Sequence, residues 1–142
     1  MSPAEWVRFL GMPSIFSRIV AREIPAHILR EDDAFLAFLD IRPIREGHTL
    51  VIPKAEVPDV FGLPDSLLSG LLPFARPIAE AIQEVTRATR IGMAVVGLEV
   101  PHAHVHLIPI DGLHDIDFRR AHPVAEEELA ATAERIRAVM AS

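Results

Sequence analysis

Three histidines, His102, His104 and His106, stand two residues apart within the apolar run 101–110. In an extended strand, side chains alternate between the two faces with a rise of about 3.3 Å per residue, so all three imidazoles would share one face at spacings of about 6.6 Å. In a helix, each two-residue step would instead rotate the imidazoles by about 200°. We therefore predict a strand with a face of imidazoles and an opposite, core-facing side formed by Ala103, Val105 and Leu107.

The composition is typical of one folded unit. With 142 residues, 50% of them hydrophobic, the chain is long enough for one core, and we expect a single domain over 1–142. The formal net charge of −6 gives no field that would gather nucleic acid. Since there is no cysteine, neither a disulfide nor a thiolate metal site can form. The segment 1–11 lacks the pattern of a secretory signal and no apolar run could cross a bilayer, so we expect a cytoplasmic protein without membrane association.

Short apolar segments bounded by turn residues predict four further strands, at 27–29, 34–40, 48–53 and 91–96. The last of these reads as a buried strand, joined to the histidine strand through 97–101 as a tight antiparallel pair. Two short helices are expected ahead of the strands. The first lies in an N-terminal extension, 1–12, and the second is capped by Ser14; their apolar residues are Trp6, Phe9 and Leu10, then Phe16, Ile19 and Val20.

Two longer helices are predicted from apolar residues at helical spacing. The main helix covers 66–88, and because Pro73 and Pro77 each remove a hydrogen bond at a cost of about 3 kcal/mol, we expect a kink or a break near Leu72. The C-terminal helix covers 123–142 and has its acidic residues early and its basic residues late, as the helix dipole favours. Its apolar face is Leu129, Ala133, Ile136 and Met140.

This order of elements predicts an α+β fold: a five-stranded antiparallel sheet with one main helix and helices at both ends. A single sheet with helices on one side leaves an edge or a face exposed. Dimerisation would cover it.

Three aligned histidines allow three interpretations. They are structural, or two of them bind zinc or iron together with His48 or an acid, or they perform phosphoryl chemistry. Neutral imidazole is a nucleophile toward phosphorus, and imidazolium neutralises phosphate oxygens. In the third interpretation the central His104 is the nucleophile, and His102 and His106 polarise, orient or donate.

The run His102-Ala103-His104-Val105-His106-Leu107-Ile108 resembles the signature of the histidine triad nucleotide-binding family. Further blocks resemble that family in the same order, so that the likeness covers residues 14–110. These blocks are the segments 14–20, 23–26, 37–43 and 47–54.

The resemblance implies a homodimer with a continuous sheet, which binds a purine nucleotide and transfers its monophosphate through a covalent histidine, with no cofactor. His104 would attack the α-phosphate, with His102 and His106 as its partners and His48 as the fourth histidine of the site. Asp40 would hold the ribose hydroxyls through its two acceptor oxygens. Phe16, Ile19 and Ile41 would pack around base and sugar, although ordinary core positions explain these three residues equally well.

The chain also departs from the family pattern. Many relatives carry two cysteines of a structural zinc site where Ser14 and Ser17 stand, so we expect no metal. Leu98 and Glu99 replace residues that touch the phosphate and the leaving group, which affects turnover and substrate choice. The third histidine favours hydrolysis over transfer to a sugar phosphate.

We therefore expect a hydrolase that cleaves purine nucleoside 5′-phosphoramidates or related adenylated compounds. The alternatives are a dinucleoside polyphosphate hydrolase and a nucleotide-binding protein with little turnover.

Overall fold

A computed structural model of the protein describes residues 13–142. The helix predicted from Trp6, Phe9 and Leu10 lies outside the described residues. The five strands are β1 (Ile28–Glu31), β2 (Phe35–Leu39), β3 (Thr49–Pro53), β4 (Arg90–Ala94) and β5 (Val105–Ile110), and they form one antiparallel sheet in the order β1-β2-β3-β5-β4. The predicted α+β fold with a five-stranded antiparallel sheet is confirmed.

Both faces of the sheet are covered by helices. Alternate residues such as Ala37 and Val51 pack against α2 (Asp65–Thr86) and α3 (Glu126–Ala141), while the other face, which includes Phe38 and Leu50, packs against Phe16 of the short helix α1 (Ile15–Val20). Ser14 caps α1, because its side chain accepts a hydrogen bond from Ser17 N–H. No helix within residues 13–142 combines the length and the hydropathy that a membrane span needs.

Helix α2 continues through Pro73 and Pro77. The break predicted near Leu72 does not occur, because tertiary packing outweighs the local penalty. Four large apolar side chains of α2 are buried, at about 1.5–3 kcal/mol each, against a cost of about 3 kcal/mol for each proline. Arg30 adds a contact from β1. Its guanidinium donates to the Phe74 carbonyl at 2.6 Å and lies over the aromatic ring of Phe74, 4.6 Å from the ring centroid.

Two other predicted segments need correction. The strand predicted as buried over 91–96 is the edge strand β4, and Met93, Val95 and Val96 are 50%, 42% and 47% exposed. An apolar pattern does not distinguish a core strand from an edge strand with an apolar surface. The C-terminal helix begins at Glu126 rather than near Pro123, since Ala125 has an extended backbone with ψ at 141°. Leu129, Ala133 and Ile136 form its buried face, as predicted.

Candidate active site

The histidine run enters the sheet only part of the way. His106 lies in β5, whereas His102 and His104 precede the strand, so the predicted continuous histidine strand is too long. The ladder between β3 and β5 stops because Pro53 has no N–H to donate and its carbonyl oxygen pairs with Nε2 of His102 at 2.7 Å. The predicted alternation nevertheless holds, since the residues between and after the histidines join the core with α2: Ala103, Val105 and Leu107.

Four aromatic rings form a row along the imidazole face. Phe16 lies 5.1 Å from His104, His104 lies 5.1 Å from His106, and His106 lies 4.8 Å from Phe118, all measured between ring centroids in edge-on arrangements. Edge-on contacts of this kind are favourable for aromatic pairs. The row therefore fixes the orientation of both central imidazoles.

The tautomer of His104 follows from its backbone partner. Nδ1 of His104 lies 2.7 Å from the carbonyl oxygen of His102, and because a carbonyl only accepts, Nδ1 carries the proton. In neutral His104 the lone pair is then on Nε2, which has no hydrogen-bond partner within residues 13–142. His104 lines the cleft described below, so this chain presents a free imidazole lone pair there.

His48 and His106 form a directed hydrogen-bonded pair. The N–H of Ile44 donates to Nδ1 of His48 at 3.0 Å, so the His48 proton is on Nε2, which donates to Nδ1 of His106 at 2.9 Å. Because Nδ1 of His106 accepts this hydrogen bond, the one ring proton of neutral His106 is on Nε2. Burial, followed by the neighbouring histidine, lowers the pKa of His48 to about 3 and the pKa of His106 to about 4. Both rings are neutral near pH 7.

His102 is held by the segment around α1. Its Nε2 donates to Pro53, its Nδ1 lies 2.8 Å from Ser14 Oγ and 3.3 Å from Ser17 Oγ, and burial lowers its pKa. Glu56 accepts hydrogen bonds from Ser14 N–H and from Ser17 Oγ, the latter at 3.0 Å. These hydrogen bonds fix His102, whose carbonyl in turn sets the tautomer of His104.

A cleft of about 660 Å³ opens over this face. Asp40 and Glu99 line it, together with Phe16, three of the four histidines of the site and residues of the segment after β4. Asp40 Oδ1 accepts from Arg42 N–H at 2.9 Å, Oδ2 lies 3.7 Å from His48 Nε2, and burial raises the pKa of this carboxyl group. The predicted residues that line the cleft are Phe16, Asp40, His48, Glu99, His104 and His106.

Three predicted site residues lie elsewhere. His102 is fully buried behind His104, Ile19 is buried in the apolar cluster around Phe38, and Ile41 is 64% exposed outside the cleft lining. Phe118 lines the cleft but was not predicted, because it lies beyond the segment with recognisable motifs. Its single signal in the sequence is an aromatic residue in an otherwise polar stretch.

Two clusters at the site are candidate metal sites. Within residues 13–142, Asp40, His48 and His106 form the one set of three ligand-type residues whose atoms all lie within 4.8 Å. The two histidines of that set are hydrogen-bonded to each other at 2.9 Å, so a cation would have to displace that hydrogen bond. The cluster at Ser14, Ser17 and His102 does not suit zinc, because its hydroxyls are neutral and already hydrogen-bonded, whereas zinc prefers thiolate, imidazole and carboxylate.

Comparison with known proteins gives one consistent family. The HIT domain family model matches residues 21–113. The adenosine 5′-monophosphoramidase HNT1 of Saccharomyces cerevisiae is 38% identical over 101 residues, which are 70% of this chain and 64% of that protein. The Protein hit of Bacillus subtilis is 35% identical over 113 residues, covering 71% and 73% of the two chains.

Solved structures agree with the fold. A HIT-like protein involved in cell-cycle regulation from Bartonella henselae matches with a TM-score of 0.78 and 30% identity, over 89% of this chain and 95% of that one. A Zn-bound histidine triad family protein from Mycobacterium smegmatis matches with a TM-score of 0.77 and 30% identity, over 89% and 92%.

Proposed function

The chain belongs to the HIT domain family, and from this we propose that it hydrolyses purine nucleoside 5′-phosphoramidates, or related adenylated compounds, through a covalent nucleotidyl-histidine. The observation that carries the proposal is the 2.7 Å contact between His104 Nδ1 and the His102 carbonyl, which leaves the Nε2 lone pair free. A relative named adenosine 5′-monophosphoramidase supports the reaction class.

The reaction proceeds in two displacements at the α-phosphorus. Nε2 of His104 attacks phosphorus, and the phosphorus–nitrogen bond breaks with its electron pair on the leaving amine, which takes a proton from water. The imidazolium formed on His104 keeps its Nδ1 proton, which still donates a hydrogen bond to the His102 carbonyl. Water then attacks phosphorus, the electron pair of the histidine–phosphorus bond returns to Nε2, and a proton is released with the nucleoside monophosphate.

The neighbouring groups hold the substrate. Nε2–H of His106, oriented by His48, donates to a phosphate oxygen. The carboxylate of Asp40 accepts from the ribose hydroxyls, and Phe16 packs beside the nucleoside. Because His48 and His106 are neutral near pH 7, they bind by hydrogen bonds rather than by charge.

The charges in the cleft bear on the choice between a substrate with one phosphate and a dinucleoside polyphosphate. Asp40 and Glu99 contribute negative charge, Arg42 and Arg119 contribute positive charge, and the guanidinium of Arg119 is paired with Asp117 through two contacts of 3.0 Å. Additional phosphates would therefore meet two carboxylates beside one cation, Arg42, and for this reason the substrate with one phosphate is our first choice. The alternative of a nucleotide-binding protein with little turnover follows from Leu98, which is 87% exposed in the cleft wall where relatives carry residues that touch the phosphate.

We also propose a homodimer in which the sheet continues across two copies. The edge strand β4 and the segment after it expose three apolar residues to a similar degree, Met93, Val95 and Val96. An apolar edge of this kind is stabilised when another strand or chain covers it.

Steady-state hydrolysis of adenosine 5′-phosphoramidate, measured beside diadenosine polyphosphates, tests the proposed reaction. We expect turnover of the amide at a kcat/KM well above that of the polyphosphates. Preferred cleavage of a polyphosphate would favour the first alternative. AMP binding without turnover of any of these compounds would favour the second.

A further inference from the structure

Glu56 lies beside the start of helix α1 and accepts two hydrogen bonds on one oxygen. Its Oε1 accepts from Ser14 N–H, and from the Ser17 hydroxyl at 3.0 Å. Since Ser14 caps α1 and Ser17 lies one turn later, the carboxylate holds the first turn of this helix at both of its ends. Partial burial raises the pKa of Glu56, but the hydrogen bonds from the two serines outweigh it and bring the pKa below its ordinary value. Glu56 is therefore an anion at neutral pH.

The carboxylate of Glu56 decides which serine hydroxyl donates to His102. Nε2 of His102 donates to the Pro53 carbonyl, so Nδ1 of the neutral ring accepts. Two hydroxyl oxygens lie near that nitrogen, Ser14 Oγ at 2.8 Å and Ser17 Oγ at 3.3 Å. The single proton of the Ser17 hydroxyl is directed to Glu56, which leaves Ser14 as the donor to His102. Without the carboxylate, both hydroxyls would compete for the one lone pair of His102.

The main chain beside Glu56 is also bonded to the histidine run. The carbonyl of Val57 accepts from the N–H of Ala103 at 2.7 Å. The peptide unit between His102 and Ala103 supplies both that N–H and the carbonyl oxygen that accepts from Nδ1 of His104 at 2.7 Å. One peptide unit is thus held on one side by the segment of Glu56 and on the other by His104. Hydrogen bonds joined through a peptide in this way polarise and strengthen one another.

The helix turn that Glu56 holds also carries Phe16. The Phe16 ring lies edge-on to the rings of His104 and His102, at 5.1 Å and 5.9 Å between centroids. Phe16 stands between the two serines that donate to Glu56. A shift of this turn would therefore move the ring that packs against His104.

We infer that Glu56 is a positioning residue for His104, which it holds in one tautomer and one orientation through the peptide of His102 and the first turn of α1. Glu56 is absent from the cleft lining, so it acts without contact to a substrate. The effect on turnover rests on the proposed function. The effect on the His104 ring does not, and it is measured separately.

The kinetic test uses Glu56→Ala and Glu56→Gln. Because misplacement of a reacting group slows the chemical step, Glu56→Ala should lower kcat for adenosine 5′-phosphoramidate about tenfold or more, with a smaller change in KM. Glu56→Gln keeps an oxygen that accepts from both serines but loses the charge, so its kcat should lie between those of the wild type and Glu56→Ala. Glu23→Ala is the matched control. Glu23 is also bonded to α1, through Arg18 at 3.4 Å, but both of these side chains are at least half exposed, and kcat should not change.

Nitrogen–proton correlation spectra of the imidazole rings report the tautomer of His104 directly. At about pH 8, above the ordinary pKa of histidine, the wild type and Glu23→Ala should show His104 with its proton on Nδ1 alone. Glu56→Ala should show nitrogen shifts averaged between the two tautomers, and Glu56→Gln a partial change in the same direction. A purely structural role of Glu56 would lower the unfolding midpoint but leave both kcat and these shifts unchanged in the folded protein.

A wild-type His104 spectrum in folded Glu56→Ala would overturn the inference, and so would a wild-type kcat. If Glu56→Ala does not fold, Glu56→Gln carries the same two tests, since its loss of charge weakens both bonds from the serines. If the wild type hydrolyses no phosphoramidate, the proposed function fails, and the spectra alone then decide the role of Glu56.

Discussion

His48 donates from Nε2 to Nδ1 of His106 at 2.9 Å, and both rings are buried, with exposed fractions of 1% and 8%. Protonation of either ring would set two N–H donors against each other, at Nδ1 of His106 against His48 or at Nδ1 of His48 against Ile44 N–H. Burial therefore keeps both histidines neutral, and the direction of the hydrogen bond leaves Nε2–H of His106 available to a ligand.

The first prediction concerns stability at acidic pH. The unfolded chain takes up protons on these histidines near pH 6.5, whereas the folded chain does so only near pH 4 for His106 and pH 3 for His48. Stability is therefore fully present above pH 6.5 and is lost as the pH falls below it. The expected slope approaches about 1.4 kcal/mol per pH unit for each histidine.

Urea unfolding at a series of pH values measures this slope. The series runs from about pH 7.5 to about pH 4.5, so that it spans the ordinary pKa of histidine. Asp40 has a raised pKa and acts in the opposite direction, while the acids with lowered pKa values, such as Glu56, contribute mainly below about pH 4.5. His106→Asn should reduce the slope by up to about 1.4 kcal/mol per pH unit, which is the contribution of one titrating histidine. A free energy of unfolding that stays constant over this range would contradict neutral buried histidines.

The second prediction concerns the hydrogen bonds at His102. Ser14→Ala removes the hydroxyl that lies 2.8 Å from His102 Nδ1 and accepts from Ser17 N–H at 3.0 Å. Because a buried ring nitrogen and a helix cap are both affected, the free energy of unfolding should fall by about 1–3 kcal/mol. Ser17→Ala is the matched comparison and should cost less, since that hydroxyl is the more distant from His102, at 3.3 Å. Equal losses in the two variants would show that the hydrogen bond of Ser14 to His102 is not what matters.

The third prediction concerns metals. Hydroxyl groups at Ser14 and Ser17 are weak zinc ligands, and the hydrogen bond from His48 to His106 competes with any cation at that pair. Dialysis against EDTA should leave both the unfolding midpoint and the rate of amide hydrolysis unchanged. Stoichiometric zinc or iron by elemental analysis, with activity lost on chelation and restored by that metal, would refute this expectation and favour a metal centre at Asp40, His48 and His106.

The fourth prediction concerns the proposed dimer. If the β4 edge pairs with a second copy, a glutamate at Met93 or Val95 would place a charge in an apolar contact and shift the protein toward monomer. Sedimentation velocity measures the shift, and Phe61→Glu serves as control because it alters an exposed apolar residue outside this edge. A wild-type protein that sediments as a monomer at all concentrations would exclude the dimer.

The sequence was sufficient for the sheet and for most of the site because both depend on local patterns. Alternation placed Val105 and Leu107 in the core and His104 and His106 on the opposite face. The prediction of a break in α2 was wrong because the cost of a proline is local, whereas the buried contacts that offset this cost come from residues distant in sequence. Phe118 was missed for the same reason: its contact with His106 joins two segments that no periodic pattern connects.

The most direct test of the central claim is mass spectrometry of the protein quenched in acid-free denaturant during turnover of adenosine 5′-phosphoramidate. We predict an adenylyl group on the peptide that contains His104, with no adduct and a loss of kcat/KM of at least about 10³-fold in His104→Ala. Wild-type turnover by His104→Ala, or an adduct on another residue, would contradict the account.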